Sequence, residues 1–514
     1  MFSPSSLSCT DEYKHFHRLQ YHPKTSMVYS NLTCRGSRYK GIDKTVFFGL
    51  QYFLKEFLIN QWNHSFFSRP KDVVVNEYKR VIENTCGKNL MDYKHIEDLH
   101  NLGYLPLEIR ALPEGTLVDL RIPLLTIHNT RPEFFWLTNY IETVLSCTVW
   151  QPINCATVAH YFRRILDKYA KETSSIPDFA QWQGHAFFYR GMGSNESAAI
   201  CGLAHLLSST GSDNTHSLAF AEQYYGANSD TELVLGSVMA NEHSCTSSNI
   251  LYNYSQLDSN IPHEERMKIA ETQYLKWLLT EVHPTGILSY VSDTFSYYRT
   301  LSEIVPSLKE IIMKRDGKLV LRPDSSKTTP ADVICGEPTS EKDSVEYKGS
   351  IEALWDVFGG TINNKGYKEL DPHIGLIYGD SINLDSCDEI LNRLKQKGFA
   401  STNVVFGEGS YLMQLNSRDS LGIAIKTTAV EIDGQPLAVY KSPRTDSGIK
   451  KSACGLLSVW QNTDNVKDGF RLVEESTWDM VARSELKTVF KDGILHNEQT
   501  LAQIRQRLIE CSTN

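Results

Sequence analysis

The chain has 514 residues, of which 41% are hydrophobic and 22% charged, and its formal net charge is −9. This composition is typical of a soluble globular protein with two or more domains, and the negative charge argues against a general nucleic-acid-binding protein. The 11 cysteines form no CxxC pair. This argues against a disulfide scaffold and against a zinc site, and it favours a reducing, cytoplasmic compartment.

The first 110 residues contain the most apolar segment of the chain, "VFFGLQYFLKEFLINQW" (46–62). Lys55 and Glu56 interrupt it, so the pattern predicts an amphipathic helix and not a membrane span. The amino terminus has no basic stretch followed by an apolar run, so no secretory signal is expected. We therefore expect no association with a membrane.

Apolar runs and helical patterns alternate in the middle of the chain. "HAFFYRG" (185–191) and "ELVLGSVMA" (232–240) are predicted strands, and "ESAAICGLAHLLSS" between them is a predicted helix. A second helix is predicted over "PHEERMKIAETQYLKWLLTE". Further predicted strands lie at 286–293, 318–325, 374–380 and 403–409. This alternation predicts an α/β fold with a parallel sheet or an α/β barrel.

Polar residues and glycines follow five of these predicted strands at their carboxyl ends. A single acidic residue in that position is usually a helix cap. Five strands that end in this way, with both signs of charge, indicate the catalytic rim of a barrel. The residues are His243, Asp293, Arg322 with Asp324, Gly379 with Asp380, and Gly407 with Gly409.

His243 is the most reactive residue of this set. In "VMANEHSCTS" it could be a structural residue, a metal ligand, a general base or a nucleophile. No second histidine or cysteine stands at zinc-ligand spacing from it, and the "HFH" at 15–17 is only a weak metal pattern. The residues alone do not decide between a structural residue, a general base and a nucleophile.

Basic residues are concentrated between positions 418 and 451 of this acidic chain, on or between predicted strands. They include Arg418, Lys426, Lys441 and Lys450. Such a cluster is either the solvated face of a β-meander or a site for a small polyanion.

Several motifs, in this order and at these spacings, closely resemble the nicotinamide phosphoribosyltransferase family. They are "YRGMGSNESAA", "STGSD", "EHSC", "VSDTFSYY", "LRPDS", "YGDSINLDS", "FGEGSYLMQ" and "SRD". The similarity extends from "DEYKHFHRLQYHP" to "LKTVFKDGIL", so it covers almost the whole chain.

The resemblance implies a fold and an assembly. The fold would be an irregular, TIM-like α/β barrel of the type II phosphoribosyltransferase kind over 161–409. A second, discontinuous α+β domain would combine 1–160 with 410–514. The protein would be a homodimer that completes each active site with residues of the partner subunit.

The resemblance also implies a reaction. The enzyme would transfer phosphoribosyl from 5-phosphoribosyl 1-pyrophosphate to nicotinamide in NAD salvage, giving nicotinamide mononucleotide and diphosphate. ATP would act as a co-substrate by phosphorylating His243, and Mg²⁺ would be bound mainly through substrate phosphates. A nicotinate phosphoribosyltransferase is the alternative, and a non-catalytic nucleotide-binding barrel is a third hypothesis. Asp213 separates the first two, because a carboxylate accepts a hydrogen bond from an amide but repels a carboxylate.

Four groups of residues carry over from the family motifs. Asp293, Arg322 and Asp324 join His243 as catalytic residues. Nicotinamide would be bound by Tyr13, Phe187, Arg190 and Asp213. Diphosphate and other phosphates would be bound by Arg35, Arg418, Lys426 and Lys441, which match the family, and by Lys450 as an addition to them. The ribose and its 5′-phosphate would be bound by Gly379, Asp380, Gly409 and Ser410.

The segment "FGEGSYL" departs from the family pattern. Ser410 and Tyr411 replace glycines, and Glu408 is expected to add a negative charge near the 5′-phosphate pocket. Ala186 stands where the family usually has an acidic residue.

Overall fold

The computed structural model describes residues 5–441, 452–463 and 469–512, which divide into two compact units. Unit 1 comprises Met1–Thr157, Ala219–Glu232 and Asn416–Asn514, and unit 2 comprises Val158–Leu218 and Leu233–Leu415. The segment 219–232 is grouped with unit 1, although it lies within the chain range expected for the barrel.

The β-strands of the described residues are numbered in chain order. They are β1 (Thr25–Cys34), β2 (Lys44–Val46), β3 (Leu107–Ala111), β4 (Leu117–Asp119), β5 (Pro123–Asn129), β6 (Gly184–Ala186), β7 (Gly211–Ser212), β8 (Met239–Ala240), β9 (Thr285–Val291), β10 (Asp316–Arg322), β11 (Gly360–Ile362), β12 (Lys368–Leu370), β13 (Ile374–Tyr378), β14 (Val404–Glu408), β15 (Ile423–Ile432), β16 (Gln435–Ala438), β17 (Ser458–Gln461), β18 (Phe470–Val473), β19 (Lys487–Lys491) and β20 (Ile494–Leu495).

The α-helices of the described residues are numbered in the same way. They are α1 (His17–Gln20), α2 (Leu50–Tyr52), α3 (Lys71–Thr85), α4 (Lys94–Leu102), α5 (Leu137–Tyr140), α6 (Glu142–Thr173), α7 (Ala180–Gln183), α8 (Asn195–His205), α9 (His216–Tyr225), α10 (His243–Gln256), α11 (His263–Trp277), α12 (Tyr297–Arg299), α13 (Val305–Ser307), α14 (Lys309–Lys314), α15 (Pro330–Cys335), α16 (Val345–Lys348), α17 (Ser350–Phe358), α18 (Leu384–Gln396), α19 (Ser410–Met413), α20 (Trp478–Arg483) and α21 (Leu501–Ser512).

Unit 2 is built on a seven-stranded parallel sheet with the order β7-β6-β14-β13-β10-β9-β8. A parallel bridge joins Gly211 of the edge strand β7 to Gly236, three residues before the other edge strand. The two edges of the sheet therefore meet, which gives the predicted α/β barrel. All five residues of β13 are buried, as expected for a parallel strand that is covered on both faces.

Unit 1 contains a seven-stranded sheet with the order β16-β15-β1-β5-β3-β19-β20. Every pairing in it is antiparallel, and the longest pairing joins the ten-residue strands β1 and β15. Two further antiparallel pairs join β2 to β4 and β17 to β18. Helices accompany this sheet, so unit 1 has the α+β character expected of the second domain.

Two predicted strands are shorter than expected. Only Met239–Ala240 of the segment 232–240 forms a strand, because the segment pairs with β9 only at these two residues and reaches β7 only at Gly236. The strand β6 ends at Ala186, and a 3₁₀ turn follows at Tyr189–Gly191.

The apolar segment 46–62 is helical from Leu50 onwards, as predicted, whereas Val46 ends β2. The helical part begins as α2 and continues in π-helical geometry over Phe53–Gln61, with Phe53, Leu54, Phe57 and Leu58 buried. No helix among the described residues is both long enough and apolar enough to cross a membrane.

Candidate active site

Four predicted catalytic residues lie at the carboxyl ends of three adjacent barrel strands. His243 follows β8 as the first residue of α10, Asp293 follows β9, and Arg322 ends β10 two residues before Asp324. Because parallel strands end at the same edge, the topology brings these side chains to one rim of the barrel.

Asp293 connects the ends of β9 and β10 through hydrogen bonds. Its Oδ2 accepts hydrogen bonds from the backbone N–H of Asp324 at 2.9 Å and from Ser325 Oγ at 2.6 Å. Its Oδ1 is buried, has no hydrogen-bond partner among the described residues and lies 3.6 Å from His243 Nε2. Asp293 therefore fixes the loop after β10 and keeps one carboxylate oxygen for the histidine or for a bound cation.

His243 is accessible and oriented. Its side chain is 51% exposed, and its Nδ1 lies 3.1 Å from Thr294 Oγ1. A hydroxyl on one ring nitrogen and a carboxylate facing the other fix the plane of the imidazole. This arrangement can present one nitrogen as a nucleophile.

Arg322 and Asp324 face a site crowded with charge. Asp324 is exposed at the strand end, but partial desolvation raises its pKa and the neighbouring carboxylate of Asp293 raises it further. Burial lowers the pKa of the Arg322 guanidinium, which donates a hydrogen bond to the carbonyl oxygen of Asn241. The rim thus holds a desolvated cation beside carboxylates, an arrangement that suits a substrate carrying both charge types.

Asp213 lies in a second group of contacts, at β6 and β7. It accepts hydrogen bonds from His185 Nε2 at 2.9 Å and from Ser237 Oγ. Burial raises the pKa of Asp213, but these two hydrogen bonds and the electrostatic interactions with His185 and Arg322 together hold the pKa below its ordinary value. The His185 ring also packs against Phe187, with 4.8 Å between ring centroids. Asp213 and Phe187 are therefore held by the same histidine.

Gly407 allows the Phe187 ring to lie close to the strand ends. A Cβ on Gly407 would meet Phe187 Cδ2 at 2.7 Å and Gly379 Cα at 2.8 Å. A Cβ on Gly379 would lie 3.8 Å from Asp324 Oδ1. Glycine at 407 is therefore required by the close approach of the ring and of β13, independently of any phosphate.

The remaining predicted residues of unit 2 lie on exposed or half-buried loops. Arg190 is exposed on the 3₁₀ turn that follows Phe187. Asp380 is half-buried directly after β13 and accepts a hydrogen bond from Ser381 Oγ at 3.1 Å. Ser410 begins α19 after Gly409 and packs against Gly191, where an added Cβ would lie 2.2 Å from Ser410 Cβ.

The expectation that Glu408 adds a negative charge near the phosphate pocket is wrong. Its side chain is only 1% exposed, and its Oε2 pairs with His205 Nδ1 at 3.1 Å. The other ring nitrogen of His205 lies 3.0 Å from the carbonyl oxygen of Gly211. The carboxylate points towards the end of α8, whereas the adjacent Gly407 faces Phe187, because alternate residues of a strand face opposite sides.

The other predicted residues lie in unit 1. Tyr13 is 61% exposed on a 3₁₀ turn. Arg35 Nε donates to the carbonyl oxygen of Gly422 at 3.0 Å, and Lys426 lies on β15 opposite Asn31 of β1. Burial lowers the pKa of Lys426, and the positive charges of Arg35, Lys441 and Arg418 lower it further. These four cations are therefore close enough to interact, whereas Lys450 lies outside the described residues.

Sequence reasoning missed three residues of these sites. His185 lies in the strand directly before Phe187, and Thr294 directly follows Asp293. Their roles depend on the contacts with Asp213 and His243, which no sequence motif predicts. Arg121 lines a cavity with Arg35 and Lys426.

The first histidine of the "HFH" pattern, His15, lies among tyrosine side chains. His15 is buried between the hydroxyls of Tyr78 and Tyr140, at 2.9 and 3.1 Å. Across 5–441, 452–463 and 469–512, no group of three or more His, Cys, Asp or Glu side chains is arranged to hold a metal ion.

The fold is similar to that of two solved enzymes. Nicotinate-nucleotide pyrophosphorylase from Pyrococcus furiosus has a TM-score of 0.57 at 14% identity, covering 100% of this chain and 98% of that chain. Human nicotinic acid phosphoribosyltransferase has a TM-score of 0.54 at 18% identity, covering 98% and 93%. The barrel and the antiparallel unit together define the fold of the type II phosphoribosyltransferases.

Sequence comparison leads to the family. Residues 182–494 match the nicotinate phosphoribosyltransferase (NAPRTase) family, and residues 5–109 match the nicotinamide phosphoribosyltransferase N-terminal domain. The nicotinamide phosphoribosyltransferase of Acinetobacter baylyi is 44% identical over 99% of this chain and 98% of its own length. That of Xanthomonas campestris is 33% identical over 96% of each. The chain belongs to the NAPRTase family and is a phosphoribosyltransferase, which confirms the resemblance seen in its motifs.

Proposed function

We propose that this enzyme transfers phosphoribosyl from 5-phosphoribosyl 1-pyrophosphate to nicotinamide, giving nicotinamide mononucleotide and diphosphate for NAD salvage. The observation that carries this proposal is the carboxylate of Asp213, held by His185 next to the Phe187 ring. A flat, neutral ring with one amide suits an aromatic face beside an acceptor for the amide N–H. A nicotinate carboxylate would instead face the negative charge of Asp213, whose pKa lies below its ordinary value.

In the transfer step, one bond forms and one bond breaks. The ring nitrogen of nicotinamide attacks C1 of the ribose, and the bond from C1 to the diphosphate oxygen breaks, so that diphosphate leaves. Positive charge develops on the ribose in this step. Asp293 and Asp324 are the carboxylates available to stabilise it, and Arg322 is available to the departing anion.

Mg²⁺ is proposed as a cofactor that supplies positive charge to the diphosphate. Asp293 and Asp324 would hold it together with the substrate phosphates. The hydrogen-bond-free Oδ1 of Asp293 and the adjacent carboxylate of Asp324 are the oxygen donors that Mg²⁺ prefers. Gly379, Asp380, Gly409 and Ser410 are proposed to bind the ribose and its 5′-phosphate.

ATP is proposed as a co-substrate that phosphorylates His243. A ring nitrogen of His243 would form a bond to the γ-phosphorus as the bond to the bridging oxygen breaks, and ADP would leave. Thr294 holds Nδ1, so Nε2 is the proposed acceptor. Phosphohistidine beside Asp293 would change the charge of the rim on which the second substrate binds.

A homodimer is the proposed assembly. Tyr13, Arg35, Arg418, Lys426 and Lys441 would complete the barrel site of the partner subunit, and Lys450 would join them. The shared-site arrangement rests on the family pattern, and the compartment is proposed to be cytoplasmic.

The ATP-linked step is tested with the purified enzyme and radiolabelled ATP. The wild type should form nicotinamide mononucleotide at an ATP-stimulated rate and carry acid-labile, base-stable phosphate. His243→Ala should lose both the label and the stimulation and keep a slow, ATP-independent transfer, because the groups that bind both substrates remain. His263→Ala is a matched control on the next helix and should keep the label. Unchanged stimulation in His243→Ala would return this histidine to a structural role.

A further inference from the structure

Unit 1 contains a cavity of about 230 Å³ at the junction of β1 and β15, next to the loop before β5. Pockets for drug-sized organic ligands measure about 300–1,000 Å³, so this volume favours a small ligand. Three cationic side chains line the cavity, and Glu474 is the one carboxylate among its lining residues in the described part of the chain. The cations are Arg35, Arg121 and Lys426.

Arg121 is placed at this cavity by its backbone. Its φ of +73° lies in the left-handed region, which a residue with a side chain adopts only when the surrounding structure requires it. Its N–H donates to the carbonyl oxygen of Cys34 at 2.7 Å, one residue before Arg35. The hydrogen bond therefore holds the two arginines at one edge of the cavity.

The Arg121 guanidinium has no hydrogen bond or ion pair with any described residue, and the residue is exposed. The nearby acidic residue Asp119 is already engaged, with Lys44 Nζ at 3.3 Å and the backbone N–H of Phe470 at 3.3 Å. Three cations against one carboxylate leave the cavity with an excess of positive charge. Such an excess is neutralised most effectively by a compact polyanion with several acceptor oxygens.

We propose that Arg121 is an additional diphosphate-binding residue, which acts with Arg35 and Lys426 in this cavity. The inference rests on the proposed function, because it names a further binding residue for the leaving group of the same reaction. The ligand chemistry is a diphosphate group, either free or as part of 5-phosphoribosyl 1-pyrophosphate. Arg121 belongs to none of the family motifs, and no sequence signal distinguishes it from other surface arginines.

The test uses Arg121→Gly in the full-length enzyme. Glycine removes the guanidinium and suits a φ of +73°, so the thermal unfolding temperature should not fall. Calorimetric titration with inorganic diphosphate and with 5-phosphoribosyl 1-pyrophosphate should show about tenfold weaker binding of each. The KM for 5-phosphoribosyl 1-pyrophosphate should rise by a similar factor, while the KM for nicotinamide should stay unchanged.

Two further variants complete the test. Arg121→Lys should retain most of the affinity, because it keeps the charge. Lys88→Gln removes one exposed cation elsewhere in unit 1 and should bind diphosphate as the wild type does. Equal affinity of Arg121→Gly and the wild type for diphosphate would overturn the inference. So would a loss confined to 5-phosphoribosyl 1-pyrophosphate, since that result would place Arg121 against the ribose phosphate.

The two proposals can fail separately. An enzyme that forms no nicotinamide mononucleotide, but whose diphosphate affinity depends on Arg121, would refute the proposed function and support the inference. An enzyme that forms nicotinamide mononucleotide with the same diphosphate affinity in Arg121→Gly would support the proposed function and refute the inference.

Discussion

Asp324, which is proposed to act on the ribose or on a bound cation, is a residue whose charge destabilises the folded state. Partial desolvation and the Asp293 charge raise its pKa, so the folded protein disfavours the carboxylate form relative to the unfolded chain. A carboxyl with a raised folded pKa destabilises the fold at neutral pH; this cost shrinks as the pH falls below the folded pKa and is gone below the ordinary pKa of the carboxyl. The charge is retained where it can act on the ribose or on a bound cation.

Asp324→Asn should therefore raise the thermal unfolding temperature at pH 7.5 and lower the rate of phosphoribosyl transfer at least tenfold. The difference in unfolding temperature should shrink as the pH is lowered through the raised pKa of Asp324. Unfolding scans across this range, with transfer assays at pH 7.5, provide the measurement. Lower stability of the variant at pH 7.5 would contradict the electrostatic explanation.

At the scale of elements, the pair Glu408–His205 connects three parts of the barrel. Glu408 ends β14, His205 ends α8, and the second ring nitrogen of His205 faces the carbonyl oxygen of Gly211 in β7. The backbone carbonyl of Glu408 also accepts the N–H of Phe187 at 2.9 Å. The pair thus connects the strand ends next to Phe187 and Asp213, the residues proposed to bind the nicotinamide ring.

Glu408→Ala should lower the free energy of unfolding by about 3–5 kcal/mol, because removal of one partner leaves a buried polar group unpaired. Glu408→Gln should lower the free energy of unfolding much less, because the glutamine amide can still form a hydrogen bond with His205. The amide oxygen can accept a hydrogen bond from Nδ1, or the amide nitrogen can donate to Nδ1 while Nε2 donates to Gly211. Urea unfolding of the two variants compares these effects. Equal stability of Glu408→Ala and the wild type would show that the pair does not hold the strand ends.

At the scale of the whole molecule, shared sites predict complementation between two variants that each lack the ATP-stimulated reaction. Tyr13→Ala and His243→Ala each remove one component of the ATP-stimulated reaction. If each site uses Tyr13 of the partner subunit, a mixed dimer contains one fully wild-type site, and random mixing restores up to about a quarter of the sites. The ATP-stimulated activity after subunit exchange measures the fraction of restored sites. No gain on mixing, or a fully active monomer in sedimentation, would contradict the shared site.

The sequence predicted the barrel and the position of the rim residues, because a polar residue that directly follows an apolar strand can be recognised from the order of residues along the chain. The sequence did not predict contacts between residues that are far apart along the chain. Glu408 has the sequence position of a rim residue, but its side chain is buried against His205. Arg121 has the sequence character of an ordinary surface residue, but it lines the cavity with Arg35. The segment 232–240 has a strand pattern but too few pairing partners.

The choice of base tests the central claim most directly. The wild-type enzyme is supplied with 5-phosphoribosyl 1-pyrophosphate, ATP, Mg²⁺ and equal concentrations of nicotinamide and nicotinate, and both mononucleotides are quantified by mass spectrometry. Nicotinamide mononucleotide should exceed its acid counterpart by about two orders of magnitude, since Asp213 would oppose a buried carboxylate. Asp213→Asn should reduce this ratio mainly by slowing nicotinamide use, while Asp316→Asn, at the opposite end of β10, should not change it. Equal amounts of the two products from the wild type would contradict the proposed function.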